Sequence, residues 1–252
     1  MDFQLLPLEL SLWAAVGLVV LSFFTSMLTA SAGIGGGVLM LSVMASVLPA
    51  IAVIPVHGVV QLGSNSGRAV LLHKSLNKQI FGYFTVGAIL GALIGGQLYL
   101  NLPAEVLQGV LGIFILAIVW LPRPQRRALS AKAYSVVGLV STFLTMFLGG
   151  TGPFVAAFLP PARYGKQQTV ATLACCMVVQ HGFKVLVFTV LGFSYAAWLP
   201  LLAAMIGAGF AGTLIGRVLL MKLPEQIFAI TFKTILTLLA IRLLYHAAVT
   251  IL

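Results

Sequence analysis

Lys184 stands several residues from either end of a run, Thr169–Leu191, that is otherwise almost wholly apolar. At the centre of a lipid-embedded helix an ammonium costs about 2.5–3.5 kcal/mol on insertion scales, so something must supply negative charge. The chain's four acidic residues cannot: Asp2, Glu9, Glu105 and Glu225 all lie at or beyond the ends of apolar segments. A buried cation without a protein counter-ion points to an anionic ligand. The chemistry it implies is the binding and passage of an anion.

Other polar residues fall into step with it. Gln180-His181-Gly182-Phe183-Lys184 echoes Gln61-Leu62-Gly63-Ser64-Asn65, with Lys184 in the place of Asn65. His57, Gln61, Asn65 and Arg68 succeed one another at helical offsets, which puts them along one helix face. Such a stripe in a membrane helix should face the bundle interior or a wet path. Alternatively, Arg68 snorkels to the surface near Lys74 and His57 is a satisfied packing residue.

Two glycine runs complete the candidate set: Gly33-Ile34-Gly35-Gly36-Gly37 and Gly149-Gly150-Thr151-Gly152-Pro153. Each immediately precedes a short apolar segment. Unpaired amides at a helix start attract anions, and Pro153 suits the first helical position. Gly35, Gly36 and Gly37 with Gly150, Thr151 and Gly152 are therefore candidate ligand-approach positions. The competing reading is that these glycines only allow tight packing.

Other chemistries fare less well. Cys175 and Cys176 are adjacent in an apolar run and fit neither a disulfide framework nor a zinc site. They could pair with His57 or His181 for nucleophilic chemistry, but no third orienting group is present. No catalytic residue, metal or cofactor is expected. The lack of intramembrane carboxylates argues against cation transport and leaves only the histidines for proton coupling.

The elements that must position these residues can be read from composition. Hydrophobic residues make up 61% of the chain and charged residues 7%, and mean hydropathy is +1.13. A soluble domain carries about 25% charged residues, so the solvent here is lipid. The net charge of +10 is read as cytoplasmic loops rich in Lys and Arg, with no nucleic-acid partner. Met1-Asp2-Phe3-Gln4 lacks the basic region expected of a cleaved signal peptide.

Apolar segments run over Leu12–Ala32, Val38–Leu48, Ala50–Leu72, Ile80–Leu100, Val106–Leu121, Ala133–Leu148, Pro153–Leu159, Thr169–Leu191, Tyr195–Met221 and Ile227–Leu252. Val38–Leu48 and Pro153–Leu159 are too short to cross. Pro49 and Pro55 are expected to interrupt the chain between Leu48 and the main body of the third segment. Gly91-Ala92-Leu93-Ile94-Gly95 leads to Leu102-Pro103, and Gly212-Thr213-Leu214-Ile215-Gly216 leads to Leu223-Pro224 at the same spacing. This recurrence indicates an internal duplication, with a first repeat over 1–121, a basic cytoplasmic linker over 122–132 and a second repeat over 133–252. Five segments per half keep Arg163, Lys166, Arg217 and Lys222 on the side of Arg123, Arg126, Arg127 and Lys132. An odd number makes the repeats inverted. The expected fold is an all-α polytopic bundle of about eight to ten spans, with the glycine runs meeting near the bilayer midplane.

The glycine runs, the stretch from His57 to Arg68, the Gln180–Lys184 motif and the Gly-x-Leu-Ile-Gly…Leu-Pro repeat together resemble the TauE/SafE sulfite exporter family over nearly the whole chain. One departure is Ser42, near the place where family members commonly carry a proline. The resemblance implies a multi-pass inner-membrane exporter of sulfite or an organosulfonate such as sulfoacetate. Its partners would be a small anion and the lipid bilayer, with a homodimer possible. Family membership alone does not fix the substrate: export of another small organic or inorganic anion is an alternative, and a non-catalytic membrane assembly subunit is another, although that role needs neither a buried lysine nor broken helices.

Overall fold

The computed structural model describes residues 10–32, 35–99, 104–120, 129–159 and 164–219, with isolated positions between 234 and 249. Gly33, Ile34, most of the central basic linker, Arg163, Lys222, both Leu-Pro steps and most of the last apolar segment lie outside the described residues. All described regular structure is helical: α1 (Leu12–Ala32), α2 (Gly36–Val47), α3 (Ala50–Leu72), α4 (Lys78–Tyr99), α5 (Ala104–Trp120), α6 (Tyr134–Leu148), α7 (Gly152–Ala156), α8 (Lys166–Val190) and α9 (Leu199–Leu219). Short 3₁₀ turns, His73–Ser75, Ala131–Ala133 and Ala196–Trp198, lead into α4, α6 and α9.

The polarity of a soluble protein is turned inside out. Trp13, Ile51, Val70 and Val190 are among many exposed large apolar side chains, while His57, Gln180 and Lys184 are fully buried. Lipid explains the first set, because an apolar surface costs nothing against acyl chains. Among the described residues, five helices are both long and apolar enough to cross a membrane: α1, α4, α6 with its leading turn, α8, and α9 with its leading turn. The protein is a multi-pass membrane protein. At 1.5 Å per residue, α3 with its 23 residues is also long enough to span, but the His57–Arg68 stripe dilutes its apolarity. The expected short elements are short: α2 has 12 residues and α7 only 5. The expected interruption at Pro55 does not occur, because α3 runs through it unbroken. Pro55 is the sixth residue of α3 and forgoes the amide that would bond Ile51 O, a loss that membrane helices tolerate because their neighbours re-satisfy the freed carbonyl.

The chain forms two compact units, one of Met1–Ile54, Asn101–Pro122 and Ala196–Leu252, the other of Pro55–Leu100 and Arg123–Tyr195. Each therefore draws on both halves of the sequence. In the second unit α4 packs along α6. A Cβ at Gly87 would stand 1.7 Å from Ser135 O, at Gly91 2.3 Å from Leu139 O, and at Gly95 2.8 Å from Met146 Cγ. Contact positions rise together in both helices, so α4 and α6 run parallel, and Lys78 and Lys132 lie at the same end. In the first unit α9 packs along α1 in the same manner. A Cβ at Gly212 would stand 2.0 Å from Phe23 O, and one at Gly216 2.5 Å from Met27 O.

The repeated Gly-x-Leu-Ile-Gly motif thus does one job twice. Glycines one turn apart let two backbones close to a distance no side chain would permit. In each unit the motif helix of one half lies on the opening helix of the other half.

Candidate functional site

The polar residues of the second unit gather on α3, α8 and the break between α6 and α7. That break starts at Gly149, whose positive φ of 71° ends α6 while its amide bonds Thr145 O. Gly150 N then donates to Leu148 O at 2.8 Å, and Thr151 stands at the start of the single turn of α7. The peptide carbonyls at a helix end carry partial negative charge. Lys184 uses one of them: its Nζ donates to Gly149 O at 2.6 Å, and Thr145 Oγ1 donates to the same oxygen at 2.9 Å.

The ammonium is therefore not bare, and this amends the expectation that only a ligand could answer its charge. The helix-end interaction supplies up to about 2 kcal/mol and the charge-assisted bond about 1.5–3 kcal/mol, on the scale of the insertion cost. Two of the three ammonium donors nonetheless remain unused among the described residues. The lysine stem crosses α3 at Gly58, where a Cβ would stand 3.0 Å from Lys184 Cδ.

One turn before Lys184, Gln180 donates from Nε2 to Thr151 Oγ1 at 2.7 Å, and Thr151 Oγ1 donates to Ser141 O at 3.2 Å. This chain ties α8 to both sides of the helix break. Gln180 Oε1 and His181 Nδ1 are buried with no hydrogen-bond partner. The ring of His181 meets that of His57 edge-on, with centroids 6.0 Å apart, and lies within electrostatic reach of Lys184 and Arg68 as well.

The stripe on α3 is tied along its own helix. Asn65 Nδ2 donates to Gln61 O at 2.7 Å, Arg68 Nη2 to Asn65 Oδ1 at 2.7 Å, and Arg68 Nη1 to Ser64 Oγ at 3.3 Å. Arg68 is 5% exposed, so it does not snorkel outward. Gln61 and Asn65 are buried with it.

The structure brings His57 on α3 into contact with His181 on α8, and Gln180 and Lys184 on α8 onto Thr151 and Gly149 at the break. Gly150 and Gly152 flank Thr151, and a Cβ at Gly152 would only touch Met177 at 3.8 Å. Because α7 is one turn long, its dipole is a minor term beside the lysine charge. Gly35, Gly36 and Gly37 belong to the other unit. There Gly35 adopts φ 106° and accepts from the amides of Val38 and Leu39. Gly36 presses on α1, where a Cβ would stand 1.9 Å from Thr25 O, so close packing accounts for this glycine. Cys175 and Cys176 are buried and unpaired to each other.

Gly58 and the hydroxyls of Ser141, Thr142 and Thr145 are parts of the site that sequence reasoning passed over, and Gly149, read there only as the first residue of a glycine run, supplies the carbonyl that holds Lys184. A signal existed for the hydroxyls. Ser141, Thr142 and Thr145 precede Gly149 by the same intervals at which Thr25, Ser26 and Thr29 precede Gly33, and Thr25, Ser26, Ser141, Thr142 and Thr145 are all buried.

A family model described as "Sulfite exporter TauE/SafE" matches residues 18–243. No curated protein and no solved structure matches the chain.

Proposed function

The chain belongs to the TauE/SafE sulfite exporter family, and from that premise we propose that it exports sulfite or an organosulfonate such as sulfoacetate across an inner membrane. Lys184 is the binding cation. The observation that carries this reading is a fully buried ammonium with two unused donors in a cluster that contains no carboxylate. No Asp or Glu occurs in α3, α4, α6, α7 or α8. Gln61, Asn65, Gln180 and His181 surround the anion, Thr151 fixes Gln180, and Arg68 adds a second positive charge along α3. A pyramidal or tetrahedral oxyanion takes several donors at once, which suits a site with donors on more than one element.

The driving force comes from the charge. An anion leaving a cell that is negative inside gains about 2.3 kcal/mol per charge per 100 mV, so export runs downhill electrically. The test is flux in proteoliposomes with sulfite, sulfoacetate, sulfate and acetate under an imposed potential. Potential-dependent flux of sulfite or sulfoacetate is the expected result. A folded, inserted protein that moves acetate alone, or none of the four, overturns the reading.

A further inference from the structure

Gln180 carries an acceptor that no described residue answers. Its amide is oriented by its partner. Thr151 Oγ1 spends its hydrogen on Ser141 O at 3.2 Å, so it meets Gln180 Nε2 as an acceptor at 2.7 Å. That fixes which end of the amide is held. Oε1, on a fully buried side chain, is left with no hydrogen-bond partner. A buried acceptor left unpaired is costly, so a group that enters beside it is favoured if it brings a hydrogen.

Lys184 stands one turn further along the same face of α8. Its Nζ is held by Gly149 O and the Gln180 amide by Thr151, so both side chains are pinned to the segment 149–151. Yet the spare donors of the one and the spare acceptor of the other are not bonded together. A ligand lying against both must accept at one point and donate at the other. A fully deprotonated oxyanion can only accept. It answers the ammonium but leaves Oε1 unpaired, or sets one bare oxygen against another. An oxyanion that keeps one hydroxyl satisfies both atoms.

We propose that the site selects oxyanions that carry their own hydrogen, with Lys184 taking the charge and the ligand's O–H donating to Gln180 Oε1. The proposal rests on the reading of Lys184 as the anion's counter-charge and narrows the substrate within it. For sulfite the selected species is the monoprotonated anion. It ranks above sulfoacetate, which at neutral pH has acceptors at both ends and no O–H. Sites built to hydrogen-bond a substrate hydroxyl reject analogues lacking it far more strongly than apolar pockets reject an extra methylene. The same physics acts here, because the wrong ion leaves a buried protein atom unpaired.

The test is calorimetric titration of the purified protein with sulfate and with hydrogenphosphate, and with sulfite alongside. The first two are tetrahedral and, at about pH 8, chiefly dianionic, but only hydrogenphosphate has an O–H. The expected result is tighter binding of hydrogenphosphate, roughly five- to 150-fold in Kd. Gln180→Met removes the acceptor at similar side-chain length and should bring the two Kd values together. Equal affinity in the native protein, the outcome if water alone bridges the two atoms, overturns the proposal and leaves the Lys184 site standing. So does tighter binding of sulfate, or binding of sulfite without hydrogenphosphate. A preference that persists in folded Gln180→Met overturns the assignment to Gln180. The native comparison decides the selectivity whether or not that variant folds. Absence of binding for all three anions overturns the site reading and the selectivity with it.

Discussion

Replacing Lys184 by methionine removes one charge and three donors while keeping an unbranched side chain of similar reach across Gly58. Two effects oppose each other in stability. The variant loses the bond to Gly149 O, about 1.5–3 kcal/mol, but is freed of an interior ammonium that costs about 2.5–3.5 kcal/mol. Gly149 O keeps its bond from Thr145 Oγ1, so no buried carbonyl is orphaned. The terms nearly cancel, and thermal stability should stay close to that of the native protein. Binding has no such compensation. A unit-charge pair about 4 Å apart at an effective dielectric of about 20 is worth about 4 kcal/mol. Allowing for the cost of stripping water from the ion, a loss of about 3–4 kcal/mol remains, or roughly a hundred- to a thousandfold in Kd. Lys184→Gln keeps a donor and loses the charge, and should fall nearly as far. The assay is calorimetric binding of sulfite and sulfoacetate to purified variants whose thermal unfolding has been matched to the native protein. Native affinity in a folded Lys184→Met protein would refute the reasoning and return the lysine to a purely structural role as the clasp on the α6 terminus.

Three further expectations concern the supports of the site and the fold. Gln180→Leu cuts the bond to Thr151 and leaves the Thr151 hydroxyl short of a donor, so unfolding should occur with about 1–3 kcal/mol less stability and weaker anion binding, both readable on one purified sample. Gly212→Val should lower thermal stability sharply, because even a Cβ there meets Phe23 O at 2.0 Å. Gly207→Ala, on the same helix with open space around it, should be neutral or gain up to about 1 kcal/mol; equal effects from the two would refute the glycine-interface reading. Single cysteines at Lys78 and Lys132 should label from the same side of the membrane, as the parallel run of α4 and α6 requires, and labelling from opposite sides would break that topology.

The sequence by itself determined the solvent and the elements. Too few polar residues exist to coat a globule in water, and that alone places the chain in lipid. Apolar runs are local properties, so the bounds of Leu12–Ala32 and Ala50–Leu72 could be read directly and those of the other described helices to within a few residues; the last segment, Ile227–Leu252, lies mostly outside the described residues. The polar stripe on α3 and the lysine on α8 were visible for the same reason: a charge in an apolar run is conspicuous whatever surrounds it. The Gly-x-Leu-Ile-Gly repeat was visible as a pattern.

Tertiary structure alone decided the partners. Nothing local says that Gly212 lies against Phe23, or that the motif helix of each half packs on the opening helix of the other. Helix pairing depends on which surfaces can close most tightly once all helices are present. The clasp from Lys184 to Gly149 O spans 35 positions of the chain, and a backbone carbonyl has no signature in a sequence of side chains. Its availability arises only because Gly149 takes a positive φ and ends α6 inside the protein. Counting acidic residues therefore overstated how bare the lysine is, while the buried atoms left unspent beside it, Gln180 Oε1 and His181 Nδ1, became apparent only when every neighbouring bond had been placed.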